Sequence, residues 1–393
     1  MIRSLYHSLW ALAGALWYRF PASQLTVIGV TGTKGKSTVV DLIDAMLTEA
    51  GKKTIVSSTV HFAIAGNSDR NLTKMSMPGK AYLQRLLARG LKAGCTHAVI
   101  EMTSEGARQH RHRFIPLNVL VVTNISPEHI ESHGSFEKYL ESKVGIAREL
   151  ASPAGRLANS HKQNRTLIVN RDDKDRGAFL SLPIPNKVEV SVNDPFPYST
   201  MLPGAMNRFN ILAAAAAARA VGITEEHITK AVEKFRGVRG RMESIENNRG
   251  ISIYVDYAHT ADSLRAAYEA AGHGPKICVL GSCGGGRDKW KRPLMAKVAR
   301  EYCDTIIFTN EDPYDEDPES IISDMSSAIP EGSYHIVLDR REAIREALTR
   351  AQQGDTVMIT GKGTDPFIMG PQESKIPWDD ATIVREELKT IHF

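Results

Sequence analysis

Cysteine is scarce in this chain: of 393 residues only Cys95, Cys278, Cys283 and Cys303 are of that type, and none has the spacing of a metal-ligand pair. Their mostly apolar surroundings predict core positions in a reducing, cytoplasmic setting, and argue against a zinc site or a disulfide framework. Charge of one sign is equally scarce. Against 49 Lys and Arg stand 45 Asp and Glu, a formal net charge of +4 spread along the sequence, which gives no reason to expect nucleic acid as a partner. No internal repeat or low-complexity tract interrupts the chain. With 42% hydrophobic and 24% charged residues, the composition is that of a soluble globular protein with room for two or three domains.

Long hydrophobic runs are missing too. Leu9–Tyr18 (LWALAGALWY) is apolar, with Arg3 before it and Arg19 after it, but it falls well short of the ~20 residues that span a bilayer. It predicts a helix over residues 1–24 that packs on the following domain. Its aromatics Trp10, Trp17 and Tyr18 also suit shallow peripheral contact with a membrane surface.

What the chain does have is a phosphate cradle. The apolar strand Leu25–Val30 runs into Gly32-Thr33-Lys34-Gly35-Lys36-Ser37-Thr38, and an apolar-periodic helix follows from about Ser37 through Val39, Leu42, Ile43, Met46 and Leu47. In such a P-loop the backbone N–H groups face phosphate oxygens, Lys36 reaches the terminal phosphates and the Ser37 hydroxyl ligates magnesium. Val30 stands where the strict pattern has its first glycine.

Downstream, apolar runs at His97–Glu101, Leu117–Thr123 and Thr166–Asn170 alternate with helical patterns at Gly79–Ala93, from Asn207 and at Glu225–Phe235, with a surface loop over Ala151–Arg165. This predicts a mainly parallel sheet covered on both faces. Arg236–Arg241 (RGVRGR) reads as a hinge. After it the alternation restarts with strands at Ile251–Val255, Lys276–Gly281, Thr305–Thr309, Tyr334–Leu338 and Thr356–Thr360. The fold class expected is therefore α/β: a P-loop ATPase domain over 25–237 and a Rossmann-like α/β domain over 238–393. Ligands in parallel sheets bind past the strand ends. Glu101 closes one run there and His129 follows another, so with Ser37 they make a candidate Mg²⁺ site.

The order and spacing of several motifs resemble the Mur ligase superfamily, most closely its UDP-N-acetylmuramoyl-tripeptide synthetases. The likeness rests on the P-loop, Glu101–Gln109 (EMTSEGARQ) with Arg111, Thr123–His129 (TNISPEH), Lys143, Asn170–Asp173, Gly204–Asn210 (GAMNRFN), Gly240–Glu243, Asp256–Thr260 (DYAHT), Arg287–Pro293 (RDKWKRP) and Gly361–Gly363. It implies an ATP-dependent amide ligase of cell-wall peptidoglycan synthesis, in which a carboxylate attacks the γ-phosphate and an amine displaces phosphate from the acyl phosphate. Cations and N–H donors then stabilise the developing charge.

By that resemblance Ser37, Glu101 and His129 hold magnesium, with two ions expected. Lys143, from sequence alone an ordinary helix lysine, becomes a carbamate that ligates the second ion. Asn207, Asn210, Arg241, Asp256 and His259 contact ATP beside Gly32–Thr38. Ser104, Gln109 and Arg111 hold a nucleotide- or lipid-linked muropeptide acceptor, next to a solvated basic face of His110, His112 and Arg113. Arg287, Gly361 and Asp365 bind the incoming amino acid, and Asp312 and Tyr314 lie in the loop that selects it.

Departures from the family pattern also carry expectations. About 25 residues precede the P-loop strand, where the family has a UDP-binding domain. Thr-Thr-Pro becomes Ser76-Met77-Pro78. Tyr314 replaces the arginine that selects diaminopimelate, and the acidic loop Glu311-Asp312 with Asp315, Glu316 and Asp317 predicts a diamine such as lysine. Two rivals stand: a folylpolyglutamate or poly-γ-glutamate type ligase, and a non-catalytic subunit that binds ATP and a muropeptide.

Overall fold

The computed structural model describes residues 2–73, 75–79, 81–128, 130–151 and 165–391. The chain divides into two compact units, Met1–Arg236 and Gly237–Phe393.

In the first unit an eight-stranded sheet has the order β4-β3-β2-β5-β1-β6-β7-β8. The strands are β1 (Thr26–Thr31), β2 (Thr54–Ser57), β3 (His61–Ile64), β4 (Asn67–Arg70), β5 (His97–Glu101), β6 (Val119–Val122), β7 (Thr166–Asn170) and β8 (Asn186–Val190). The helices are α1 (Ile2–Trp17), α2 (Lys36–Glu49), α3 (Tyr82–Lys92), α4 (Ser104–Arg108), α5 (Ile130–His133), α6 (Phe136–Ala151), α7 (Gly177–Leu180), α8 (Ala205–Ala220) and α9 (Glu225–Lys234). Strand β1 lies between β5 and β6, parallel to both. All three are buried almost throughout, as β-branched strands covered on two faces must be. One face packs α2, α8 and α9 through Val39, Ile43, Leu47 and the alanines of α8; the other packs α3 and α6 through Leu83, Leu87, Ile146 and Leu150. Helix α1 lies against α3, with Ala15 fully buried and Gly14 pressed against Ala81.

The antiparallel pairs β2–β3 and β3–β4 are additions to the sequence expectation. Most of the expected surface loop at 151–165 falls outside the described residues.

In the second unit six strands run in the order β13-β12-β11-β14-β10-β9: β9 (Glu243–Ser244), β10 (Ser252–Asp256), β11 (Lys276–Leu280), β12 (Thr305–Phe308), β13 (His335–Ile336) and β14 (Thr356–Thr360), with a hairpin of β15 (Phe367–Met369) and β16 (Lys375–Pro377). All pairings in the larger sheet are parallel except that of β9 with β10. Five helices accompany the strands: α10 (Ala261–Ala270), α11 (Lys291–Tyr302), α12 (Pro318–Ser326), α13 (Arg340–Arg350) and α14 (Asp380–Thr390). The strand expected over Tyr334–Leu338 shrinks to the two exposed residues of β13.

The cysteines need a correction. Cys95 is buried and unpaired and Cys283 is half-buried and unpaired, but Cys278 on β11 and Cys303 just after α11 form a disulfide. The crossover from β11 through α11 brings the two core positions together, which no local pattern announces. Among the described residues no helix is long and apolar enough to cross a membrane.

Candidate active site

The turn after β1 folds as it does because two of its glycines admit nothing larger. Gly32 (φ 139°) is pressed against Thr123, and Gly35 (φ 82°) against the Asn210 side chain of α8. Both hold φ values that favour glycine. The loop after β6 clasps the turn: Asn124 O accepts from Thr33 N at 2.7 Å, Asn124 Oδ1 from Lys34 N at 2.9 Å, and Thr123 Oγ1 donates to Lys34 O at 2.6 Å. Lys34 pairs with Glu128 at 2.7 Å. Lys36 Nζ donates to Thr33 O at 2.8 Å. Thr38 is buried in the first turn of α2, where the unpaired N–H groups of a helix start collect.

Beside this turn the structure brings together Ser37, Glu101 and Lys143. Ser37 Oγ donates to Glu101 Oε2 at 2.9 Å. The Glu101 carboxylate also accepts from Thr59 N (2.9 Å), Thr59 Oγ1 (2.8 Å) and Ser76 Oγ (3.1 Å). Burial opposes its ionisation, yet the Lys36 cation and the hydrogen bonds from Thr59 and Ser37 outweigh that and hold its pKa below the ordinary value.

Lys143, on α6, is no surface lysine. It is 2% exposed, its Nζ donates to Gly32 O at 2.7 Å and lies 4.7 Å from the centre of the Tyr139 ring. Burial first, and then the Lys36 cation, push its pKa well below the ordinary lysine value. His129 lies outside the described residues.

The donor set fits a hard cation in part: Ser37 and Glu101 supply adjacent oxygens of the kind magnesium takes. Among the described residues no group of three His, Cys, Asp or Glu side chains is arranged for a metal. An ion at Ser37 and Glu101 therefore takes its remaining ligands from phosphate, water or a modified side chain.

The other expected residues of this unit form two groups. Asn207 and Asn210 sit one turn apart on α8, with Asn210 Nδ2 donating to Asn207 Oδ1 at 3.2 Å and Asn207 Nδ2 to Pro203 O at 2.8 Å. Past β5, Ser104 Oγ lies 3.1 Å from His133 Nε2, and Arg111 donates to the Gln109 side-chain oxygen and to Met77 O. His112 departs from the expected solvated face. It is 6% exposed, and burial, with His110 and Arg113 nearby, lowers its pKa to about 4.

In the second unit Arg241, Asp256 and His259 gather around Tyr257. The Arg241 guanidinium lies 4.2 Å from the Tyr257 ring centre, Asp256 accepts from Met242 N and Ala258 N at 2.7 Å each, and His259 Nδ1 is 2.9 Å from Tyr257 O. Asp365 is the leading cause of the raised pKa of Tyr257, and Arg287 is hydrogen-bonded to Tyr314.

The acidic loop is not the free cluster that the sequence suggested. Asp312 is buried, paired with Lys362 at 2.7 Å and accepting from Met369 N at 2.8 Å. Lys362 also reaches Asp365, at 3.1 Å. Asp315 accepts from Gln372 N, Glu316 pairs with Arg292 and Lys289, and Asp317 caps α12. Glu311 alone retains capacity. It is 2% exposed against Gly361, with Oε1 receiving the Cys283 thiol at 3.0 Å and Oε2 without a hydrogen-bond partner.

Two supporting residues escaped the sequence analysis. Thr59, which binds Glu101 twice, follows the unforeseen strand β2. Tyr139, whose hydroxyl lies 2.8 Å from Thr33 Oγ1, precedes Lys143 by four residues, and that one-turn helical spacing was the available signal.

Residues 30–218 match the Mur ligase middle domain and 240–363 the Mur ligase, glutamate ligase domain. A UDP-N-acetylmuramoyl-L-alanyl-D-glutamate--2,6-diaminopimelate ligase of Halalkalibacterium halodurans is 31% identical over 400 residues, covering 95% of this chain and 80% of that protein. One of the same name from Synechococcus elongatus is 35% identical over 398 residues, covering 93% and 77%. A solved structure of a ligase of this name superposes with a TM-score of 0.61 at 28% identity, over 93% of this chain and 78% of that one. Mycobacterium tuberculosis folylpolyglutamate synthase gives 0.72 at 16% identity, over 90% and 92%, a likeness of fold alone.

Proposed function

The chain belongs to the Mur ligase family of ATP-dependent amide ligases, and from that premise we propose that it joins an amino acid to the carboxylate of a muropeptide-type acceptor in peptidoglycan synthesis, in a cytoplasmic setting, with residues 25–237 handling ATP and acceptor and 238–393 the amino acid. Ligases of this family use ATP and magnesium. The observation that carries the proposal is the convergence of Lys36, Ser37, Glu101 and Lys143 on one phosphate-binding turn.

In this reading Lys36 and the N–H groups opening α2 neutralise the phosphoryl oxygens as the acceptor carboxylate attacks, and Ser37 and Glu101 orient a magnesium ion, which supplies further positive charge. The incoming amine then attacks the acyl carbon, forming the C–N bond as the C–O bond to phosphate breaks and the amine proton leaves. Lys143 is proposed to act as a carbamate. Its burial beside Lys36 favours the neutral amine, the form that adds to CO₂ with release of a proton, and the product presents anionic oxygens where an ammonium stood. For the amino acid, Glu311 Oε2 is the acceptor offered to an ammonium group and Arg287 the donor offered to a carboxylate, which suits a zwitterion and shifts the specificity argument away from Asp312.

The test is phosphate release coupled to amide formation, with ATP, a muropeptide and a panel of amino acids that includes lysine and meso-diaminopimelate. Glu101→Ala should lower kcat at least a hundredfold with the circular dichroism unchanged. Ligation within about tenfold of wild type, ~1.4 kcal/mol of barrier, would remove the metal role. Glu311→Gln should raise KM for the amino acid at least tenfold and leave KM for ATP alone; an effect on ATP instead would exclude an amine site there.

A further inference from the structure

In the first unit a cavity of about 360 Å³ opens between α1, α3 and the segment after α4. That is the size range of small-molecule sites. One wall is aromatic, with Tyr6 and Trp10 of α1 and Tyr82 of α3; the opposite wall carries Arg111 and Arg113, and none of the described lining residues is acidic.

Arg111 makes its hydrogen bonds to neutral acceptors only: Met77 O, the Gln109 side-chain oxygen and, at 3.4 Å, the Met75 sulfur. A half-buried guanidinium so placed favours an anion presented bidentately, and phosphate matches its fork. Aromatic faces in turn take flat apolar surface, such as the C–H face of a sugar ring. The backbone around the cavity is held in an uncommon state. Ala81, in its lining, and His110, between Gln109 and Arg111, have φ of 62° and 54°, conformations that non-glycine residues keep where the surroundings enforce them.

We propose that this cavity is an acceptor subsite for a sugar phosphate: the ring packs on Trp10 and its neighbours, and the phosphate is held by Arg111 and Arg113. It deepens the preceding section and rests on its muropeptide acceptor, whose sugar end lies away from the carboxylate that is activated. Arg111 borders both regions, since the segment that begins at Glu101 ends there.

The experiment measures KM for three acceptors: a muramoyl dipeptide without phosphate, its nucleoside-diphosphate conjugate and its lipid diphosphate conjugate. At least one phosphorylated acceptor should show a KM tenfold or more below that of the plain dipeptide, and which one does so identifies the source of the phosphate. Trp10→Ala and Arg113→Ala should each erase that difference while KM for ATP and for the plain dipeptide stay within twofold. Trp10 is 45% exposed, so its removal leaves the core intact.

Equal KM values for all acceptors in the wild type, or variants that weaken all acceptors alike, would overturn the subsite. So would Trp10→Ala that loses only co-sedimentation with anionic phospholipid vesicles, because the patch would then be a membrane contact. Calorimetry with N-acetylmuramic acid 1-phosphate separates this inference from the function it rests on. Binding that disappears in Trp10→Ala while no acceptor is ligated supports the subsite and refutes the ligase reading.

Discussion

Lys143 and His112 show how far a residue's chemistry depends on what covers it. Nothing near either residue in sequence marks it as buried: Lys143 is flanked by Ser142 and Val144 on an amphipathic helix, and His112 sits in the basic run His110–Arg113. Burial in both cases comes from tertiary packing, so the sequence could supply Lys143 only through family resemblance and placed His112 wrongly in solvent. If Lys143 works as a carbamate, Lys143→Ala should lose at least a hundredfold in kcat and regain part of it with added short carboxylates. ¹³C-bicarbonate should also give a carbamate resonance in the wild type that Lys143→Met lacks. Full activity in the alanine variant would remove the carbamate. For His112 the consequence is acid sensitivity. Its folded pKa of about 4 lies below the unfolded value near 6.5, so the stability it contributes is complete above pH 6.5 and is lost as pH falls toward 4, by up to ~3 kcal/mol. His112→Phe should flatten that limb: its urea midpoint should fall less between pH 7 and 4.5 than the wild type's, and equal falls would mean another group controls it.

At the scale of elements, legibility followed periodicity. Strands β1, β5 and β14 were readable because continuous burial writes continuous apolar runs. The hairpin strand β4 (NSDR) is mostly exposed and polar and looks like any loop, and β2, which delivers Thr59 to Glu101, is only four residues long. The clearest pattern with a mechanical role is the alanine run of α8, in which Ala213, Ala214, Ala215, Ala217 and Ala218 are fully buried. Small side chains let α8 approach α2, β6 and β7 closely, and that approach sets Asn210 against Gly35 of the phosphate turn. Ala215→Leu should therefore do two things: destabilise by ~1–3 kcal/mol through overpacking, and raise KM for ATP by displacing α2. A lower melting temperature with an unchanged KM would show that the turn holds its shape without α8.

Across the whole molecule, the division of labour between units is where composition misled most. Four cysteines without metal spacing implied uniform core thiols, yet one pair is joined within the second unit and the phosphate turn lies in the first. Sequence separation hides such a pair, because 25 residues of strand, loop and helix intervene before the chain returns to the neighbouring core layer. A cross-link of that span stabilises by roughly 3 kcal/mol through the unfolded chain's lost freedom, and its effect belongs to the segment it closes. Reduction should thus speed amide exchange in β11 and α11 while the first unit's α2 and β1 keep their protection, and Cys278→Ser with Cys303→Ser should reproduce that pattern without reductant. Equal acceleration in α2 would mean that stability is shared between the units, and the local-opening argument would fail for this chain.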